Sequence, residues 1–496
     1  MKVLLINPLS GWFKYDQMSM PPLGLLILAA KLREDGHEVK YLDRNSSYFR
    51  NSRLRLGLVS STLEGVDKEL VTCLSDFKPD LVGITMMTCQ IKDSKHIVKL
   101  TRNKSEGGVK IIAGGYHPTC EPDSIFNDLP ELDAIVRGQG EHAIAEIARG
   151  VSLRLVPSVS YPTWDRKPSF LEIFNTKSRL VKVTHNAAPK WMKENNLTIG
   201  PARDLLDTQF YQKEGDDVIN CYYFKNPASI ITSQGCPKRC SFCASVIMEP
   251  KLYFNPWQSM IDEIELLVEN GATGLFFYDI NFPVHKKRTE AFSSAMIASG
   301  LSERVKWVAC ASADNLPYDL LPLMRRAGCV GLVFGFESNS QKILDILNKE
   351  TDVRKNQLAV DACLANDIRP QSGFIIGVPG ETERDINLSL EFIEKNRLLS
   401  SLNVILPLPA TAINKKLQED GKLNPRHPDY WGLISDTNAP LTKDRVYSDI
   451  PFDRFVDIYE QGMRNVCAPT WETLYIDKPT DFTLEKDRTF SSLVIA

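Results

Sequence analysis

The chain has 496 residues, 43% hydrophobic and 24% charged, the balance of an ordinary globular protein with proper cores. Its 59 Lys and Arg against 62 Asp and Glu leave a net charge of −3, so no basic surplus points to nucleic acid and no acidic tail to disorder. The longest apolar run, Leu23 to Ala30, is too short to span a bilayer, and MKVLLINP lacks the length and cleavage site of a signal peptide; a cytoplasmic protein is expected.

Residues 1–150 alternate strand and helix patterns. Strand-like runs are Lys2 to Ile6, His37 to Asp43, Asp80 to Thr85, Lys110 to Gly115 and Asp133 to Gly138. Helical patterns at Leu23 to Leu32, Leu70 to Phe77, Lys95 to Arg102 and Ala143 to Arg149 separate or follow them. Parallel strands need helical crossovers, so a doubly wound, Rossmann-like sheet is expected. Such sheets bind ligands beyond the carboxyl ends of their strands. The loops there run Asn7 to Gly11, Thr85 to Thr88, Gly114 to Pro118 and Gly138 to Glu141. Paired glycines allow a large ligand close to the backbone, although plain turn chemistry explains them equally.

Residues 151–225 show no sustained period and read as a linker with some local structure. A second α/β series follows over 226–410, with strands expected at Ala228 to Ser233, Gly274 to Asp279, Val305 to Cys310, Gly331 to Phe336, Ser372 to Gly377 and Leu402 to Leu408. Six β/α repeats make a partial (β/α)6 barrel, whose site should lie at the strands' C-terminal ends. Residues 411–496 are punctuated by proline and read as a small C-terminal substrate or capping domain. Its aromatics Tyr430, Trp431, Trp471 and Tyr475 either line a pocket or form that domain's own core.

Of eleven cysteines, eight are scattered: Cys73, Cys89, Cys120, Cys221, Cys310, Cys329, Cys363 and Cys467. The other three stand together as GCPKRCSFC, immediately after the first barrel strand, with Cys236, Cys240 and Cys243 spaced C-x3-C-x2-C. Three thiolates on one loop can hold three irons of a [4Fe-4S] cluster and leave the fourth open. Zinc is the rival metal, but structural zinc sites are closed by four donors in paired spacings, and no partner pair occurs elsewhere.

This loop resembles the hallmark of the radical S-adenosylmethionine (SAM) superfamily, with Phe242 as the aromatic before the third cysteine. YDINF (Tyr278 to Phe282), FGFES (Phe334 to Ser338) and GFIIGVPGET (Gly373 to Thr382) resemble that family's SAM-contacting segments. PPLGL (Pro21 to Leu25), GGYHPT (Gly114 to Thr119), VRGQGE (Val136 to Glu141) and PARDLLD (Pro201 to Asp207) are similar to a subgroup with an N-terminal cobalamin-binding domain, the class B methyltransferase-like enzymes. The resemblance implies three cofactors: the cluster, SAM and cobalamin. It assigns Cys236, Cys240 and Cys243 to iron, and Asp279, with the Tyr278 carbonyl nearby, to the SAM ammonium. Glu337 would take ribose hydroxyls or the amino group, and Phe242, Ser312, Gly373 and Gly377 would border the SAM pocket. Salt-bridged carboxylates and strand-end packing are the plainer readings of Asp279, Glu337 and the two glycines.

For cobalamin the resemblance points to Asn7, Thr85, Thr88, Gly114, Gly115, His117, Gly138, Gly140 and Glu141. Many cobalamin proteins present a histidine to cobalt from Asp-x-His-x-x-Gly, which is missing here. Cobalt would then carry no protein imidazole, its lower face covered by side chains or water near Thr85 to Thr88 and Gly114 to Pro118, where His117 is a ligand, a tail contact or simply a turn residue. Cys73, Cys89 and Cys120 raise a second cluster, as in methylthiotransferases, but their contexts differ and buried free thiols explain them better. The expected function is C-methylation of an unactivated carbon. One SAM would methylate cobalamin, and a second would yield the deoxyadenosyl radical that abstracts a substrate hydrogen. The alternatives are a cyclase or rearrangement enzyme with the same cofactors, or a non-catalytic cobalamin or Fe-S binding module. Expected partners are a small-molecule or peptide substrate and a flavodoxin or ferredoxin as electron donor, with neither nucleic acid nor membrane.

Overall fold

The computed structural model describes residues 1–9, 21–54, 59–105, 108–164, 180–187, 200–207, 211, 217–219, 222–224, 226–249, 251–435 and 441–467. Two compact units emerge: Met1–Tyr211 with Ile247–Glu249 and Leu408–Ala410, and the remainder of the chain.

The first unit is built on strands β1 (Lys2–Asn7), β2 (Glu38–Asp43), β3 (Leu81–Thr85), β4 (Lys110–Gly114), β5 (Ala134–Val136), β6 (Val159–Trp164) and β7 (Leu180–His185). Their order is β2-β1-β3-β4-β5-β6-β7, parallel through β5 and antiparallel beyond. After Lys2 every residue of β1 is buried, as expected of a parallel strand covered by helices on both faces. Leu25, Ala29 and Leu32 of the helix Leu23–Glu34 and Ile144 and Ile147 of the helix Glu141–Ala148 pack on one face with Val3, Leu5 and Ile112. The order 2-1-3-4-5 reverses direction between β1 and β3, which opens a crevice at their carboxyl ends. The stretch read as a linker thus adds two strands to this sheet. An antiparallel strand needs only a turn, and Pro162 with mixed burial leaves no period to read along β6.

The second unit holds β8 (Pro227–Ile230), β9 (Gly274–Phe277), β10 (Lys306–Ala311), β11 (Cys329–Glu337), β12 (Arg369–Ile376) and β13 (Leu399–Val404). All six run parallel in chain order, each pair joined by at least one helix, which is the expected partial barrel. Trp307 anchors its core, with Phe277, Phe282 and Phe292 around it at ring centroids of 5.2, 5.4 and 6.0 Å. The described part of 411–496 folds onto this unit. Leu417, Tyr430, Leu433 and Tyr447 share a core with Ile343, Val378 and Ile405, and Trp431 packs on it. Tyr430 and Trp431 are therefore core aromatics; Trp471 and Tyr475 lie outside the described residues.

Candidate functional site

The cysteine loop leaves β8 through a two-residue strand, Ser233–Gln234, paired antiparallel with Tyr253–Phe254. Cys236, Cys240 and Cys243 are free and half-buried. Burial pushes the Cys240 thiol up to about 11 and raises Cys236 as well, and each feels the charge of Cys243, so the three share one neighbourhood. Among the described residues no group of His, Cys, Asp or Glu converges on a single ion. Three thiolates on one loop, each taking a different iron at a corner of a cube, fit a [4Fe-4S] cluster.

The loop is fastened by a buried lysine that its own motif supplies. Lys238 pairs with Asp314 at 2.6 Å and donates to the Lys349 and Glu350 carbonyls at 2.9 Å each. The Ser241 backbone N–H donates to the Leu347 carbonyl and the Asn348 side chain to the Arg239 carbonyl, both at 2.8 Å. Phe242 packs against the Ile343–Tyr447 core. Ser312, at the end of β10, donates to Asp314 at 2.6 Å and so supports the same strut.

Glu337 ends β11 at φ 63°, left-handed for a side-chain-bearing residue, where the register with β12 slips. That conformation costs on the order of 1–3 kcal/mol and marks positions held for function. Lys349 bonds Glu337 at 2.8 Å. Burial works against the Lys349 ammonium, but Glu337, then Cys240 and Cys243, raise its pKa above the ordinary value. A Cβ on Gly335 would overlap a Glu337 carboxylate oxygen, so a side chain there would displace this pair. The cysteine neighbourhood therefore holds the ammonium of a Lys349–Glu337 ion pair, which feels the charges of Cys240 and Cys243.

Asp279 is fully enclosed. It accepts from the Thr232 backbone at 2.7 Å, from the Thr232 hydroxyl at 2.5 Å and from Ser233. Burial raises its pKa, with Arg288 and these donors opposing. The carboxylate read as a SAM contact thus ties the segment entering the cysteine loop to the end of β9, because its oxygens turn inward. Two residues on, Asn281 is buried with neither amide atom bonded among the described residues. It offers a donor and an acceptor at the strand end where a ligand is expected. Tyr278 is half-buried and donates its N–H to the Ile230 carbonyl at 2.8 Å. A Cβ on Gly373 would meet the Asn403 amide at 3.2 Å. Gly377, at φ 79°, opens a turn in which its N–H donates to buried Glu381 at 2.6 Å.

In the first unit, Gln90 spans the crevice at the switch point. Its amide donates to the Pro8 carbonyl at 2.9 Å and to Asn7 at 3.2 Å, and accepts from the Met87 N–H at 2.8 Å. Asn7 also donates to buried Asp43 at 3.1 Å. Gly115, at φ 103°, brings the β4 loop so close that a Cβ would lie 3.1 Å from the Met86 carbonyl. Thr85 borders that contact, and Gly114 accepts from the Met86 N–H at 2.8 Å. His117 is fully buried 3.2 Å from the Thr88 hydroxyl, and burial pushes its pKa down to about 4. His117 and Thr88 (7% exposed) therefore brace the crevice from within instead of facing it. Gly138, at φ 70°, donates to Thr119 at 3.0 Å, and Gly140 caps the helix that begins with Glu141, a carboxyl raised by burial. Ser10 and Gly11 of the β1 loop lie outside the described residues. Burial pushes Cys120 up to about 11, a protonated thiol, while Cys73 and Cys89 are half-buried. Sequence reasoning missed Lys238, Asp314, Lys349 and Gln90, of which Lys238 sits inside the cysteine motif; Met87 lies in the expected Thr85 to Thr88 loop, though the sequence reading does not single it out.

Residues 16–148 match the B12 binding domain family, and residues 230–393 match the radical SAM superfamily. The chain is 27% identical over 423 residues to an uncharacterized methyltransferase, PH0819, of Pyrococcus horikoshii, covering 83% of this chain and 82% of that one. It is 24% identical to an anaerobic magnesium-protoporphyrin IX monomethyl ester cyclase of Cereibacter sphaeroides over 81% of this chain, but spans only 61% of the cyclase. Among solved structures, the radical SAM methyltransferase TsrM from Kitasatospora setae, with cobalamin and a [4Fe-4S] cluster bound, shares the fold. That likeness has a TM-score of 0.66 at 16% identity and covers 98% of this chain and 92% of that one.

Proposed function

We propose, on the premise that the chain belongs to the radical SAM enzymes with an N-terminal B12-binding domain, that it is a cobalamin-dependent C-methyltransferase. The observation that carries this is the match to a methyltransferase over 83% of this chain and 82% of that one, whereas the Cereibacter cyclase is matched over 61% of its length and the Synechocystis cyclase over 72%. Its cofactors are a [4Fe-4S] cluster, SAM and cobalamin. When bound, they supply a 5'-deoxyadenosyl radical that removes a substrate hydrogen and a methyl group that replaces it.

The chain's own residues do the holding. Cys236, Cys240 and Cys243 take three irons and leave the fourth for SAM. Lys238 and Asp314 fix the loop's height above the sheet, and Lys349 places a cation beside the thiolates. Asn281 and Gly377, past strand ends, and Gly373, within β12, border the SAM pocket, with Asp279 and Ser312 as braces behind it. In the first unit, Gly114, Gly115 and the segment Thr85 to Thr88 form the cobalamin floor, held by Gln90 and His117. The substrate is a small molecule or peptide with an unactivated C–H bond, and a low-potential flavodoxin or ferredoxin supplies the electron.

Anaerobic incubation with SAM labelled in its methyl group, a reductant and candidate substrates tests this by mass spectrometry. Label in the product supports methyl transfer. Deoxyadenosine with unlabelled, cyclised product would move the assignment to the cyclase class, and intact SAM under all conditions would leave a binding module.

A further inference from the structure

Among the described residues, the crevice between the carboxyl ends of β1 and β3 presents one exposed large apolar side chain. Met87, two residues past β3, is 46% exposed, whereas Leu9 across the crevice is 4% exposed. A single exposed apolar residue usually means little. Met87 differs in what holds its backbone. Its N–H donates to Gln90, whose amide also grips Pro8 and Asn7 on the other lip. The preceding residue, Met86, donates to the Gly114 carbonyl at 2.8 Å and accepts from the His117 N–H at 3.0 Å. Gly115 packs against both Met86 backbone groups at a distance only glycine tolerates. A flexible, exposed side chain thus stands on a backbone fixed from three loops, as a site built for a ligand requires. Its neighbours Thr88 and His117 turn inward.

We propose that the Met87 thioether covers the lower face of cobalt. This rests on the cobalamin reading above. A thioether is a soft, weak donor on an adaptable stem, able to shield a flat macrocycle without binding its metal as firmly as imidazole does. Such a partner leaves cobalt easy to reduce to the state with few axial ligands. His117, enclosed at the position where a ligand would be sought from sequence, acts only as a brace.

Electron paramagnetic resonance of the Co(II) holoenzyme tests this without turnover. Sulfur adds no splitting, so the full-length protein should show unsplit cobalt lines, and His117→Ala should leave them unsplit. Met87→His places an imidazole under the metal and should divide each cobalt line into three. Met87→Ala admits water and should shift the cobalt hyperfine spacing, a second readout should the histidine variant load poorly. Cobalamin bound with spectra unchanged in both Met87 variants would overturn the proposal, as would nitrogen splitting in the unaltered protein. A protein that retains no cobalamin would instead overturn the reading on which the proposal rests.

Discussion

The crevice of the first unit and the cysteine loop of the second solve opposite problems. Around the crevice the groups nearest the opening are mostly neutral, Thr85, Met87, Gln90, Gly115 and an uncharged His117, with carboxylates set behind them, Asp43 on Asn7 and Asp93 on the Leu9 N–H. Around the cysteines stand two ion pairs, Lys238 with Asp314 and Lys349 with Glu337. A macrocycle that arrives complete needs shape and close backbone approach. An iron-sulfur centre must be held by anionic ligands, and a fixed cation nearby offsets their mutual repulsion.

The largest effect should come from the cysteines. Replacing Cys236, Cys240 and Cys243 together by Ala should abolish iron binding after anaerobic reconstitution, read as loss of absorbance near ~400 nm and of bound iron. Cobalamin uptake should persist, which separates the two sites. Retention of iron in the triple variant would place the cluster elsewhere.

Lys238→Met should come next. It leaves Asp314 (11% exposed) without its cation, and removing one partner of such a buried pair costs about 3–5 kcal/mol, measurable by urea unfolding. An effect below about 1 kcal/mol would mean the strut behaves as a surface pair.

A smaller, pH-dependent effect belongs to Glu381, which is buried at the Gly377 turn and pushed up to about 8 by burial, against the Gly377 and Val378 N–H donors. A folded-state pKa above the unfolded value means the native protein binds the extra proton between the two. Stability should therefore fall as pH rises towards 8, by about 1.4 kcal/mol per pH unit. Glu381→Gln should flatten that slope in unfolding curves taken from pH 6 to 8. An unchanged slope would assign it to another group.

The smallest change is expected in the neutral region. Gln90→Leu should cost about 1–2 kcal/mol by leaving the Met87 N–H unpaired and removing one of two donors to the Pro8 carbonyl, and should weaken cobalamin binding with iron content unaltered. Iron loss in this variant would erase the contrast between the regions.

All eleven crossover-linked strands were legible because each is a short apolar run between helical periods. The antiparallel β6 and β7 were not, since edge-side strands with proline and half-exposed faces carry no such run. At the site, the cysteine spacing and strand-end glycines showed in the sequence, being local. Lys349 did not: it reaches Glu337 only because β11 slips register and the chain doubles back twelve residues later. Asp279 and His117 were recognisable as polar residues at strand ends, but sequence does not tell which way a side chain turns. Both turn inward: Asp279 accepts from Thr232 and Ser233, and His117 meets the Thr88 hydroxyl through Nδ1.

The fastening of the cysteine loop has a consequence for upkeep in air. Its ties run through Lys238, the Ser241 backbone and Asn348 to the turn at 346–350, and none of them passes through sulfur. Oxygen that strips the metal would therefore leave the cradle's backbone standing. Rebuilding then becomes a matter of resupplying iron and sulfide to a waiting loop, not of refolding the chain.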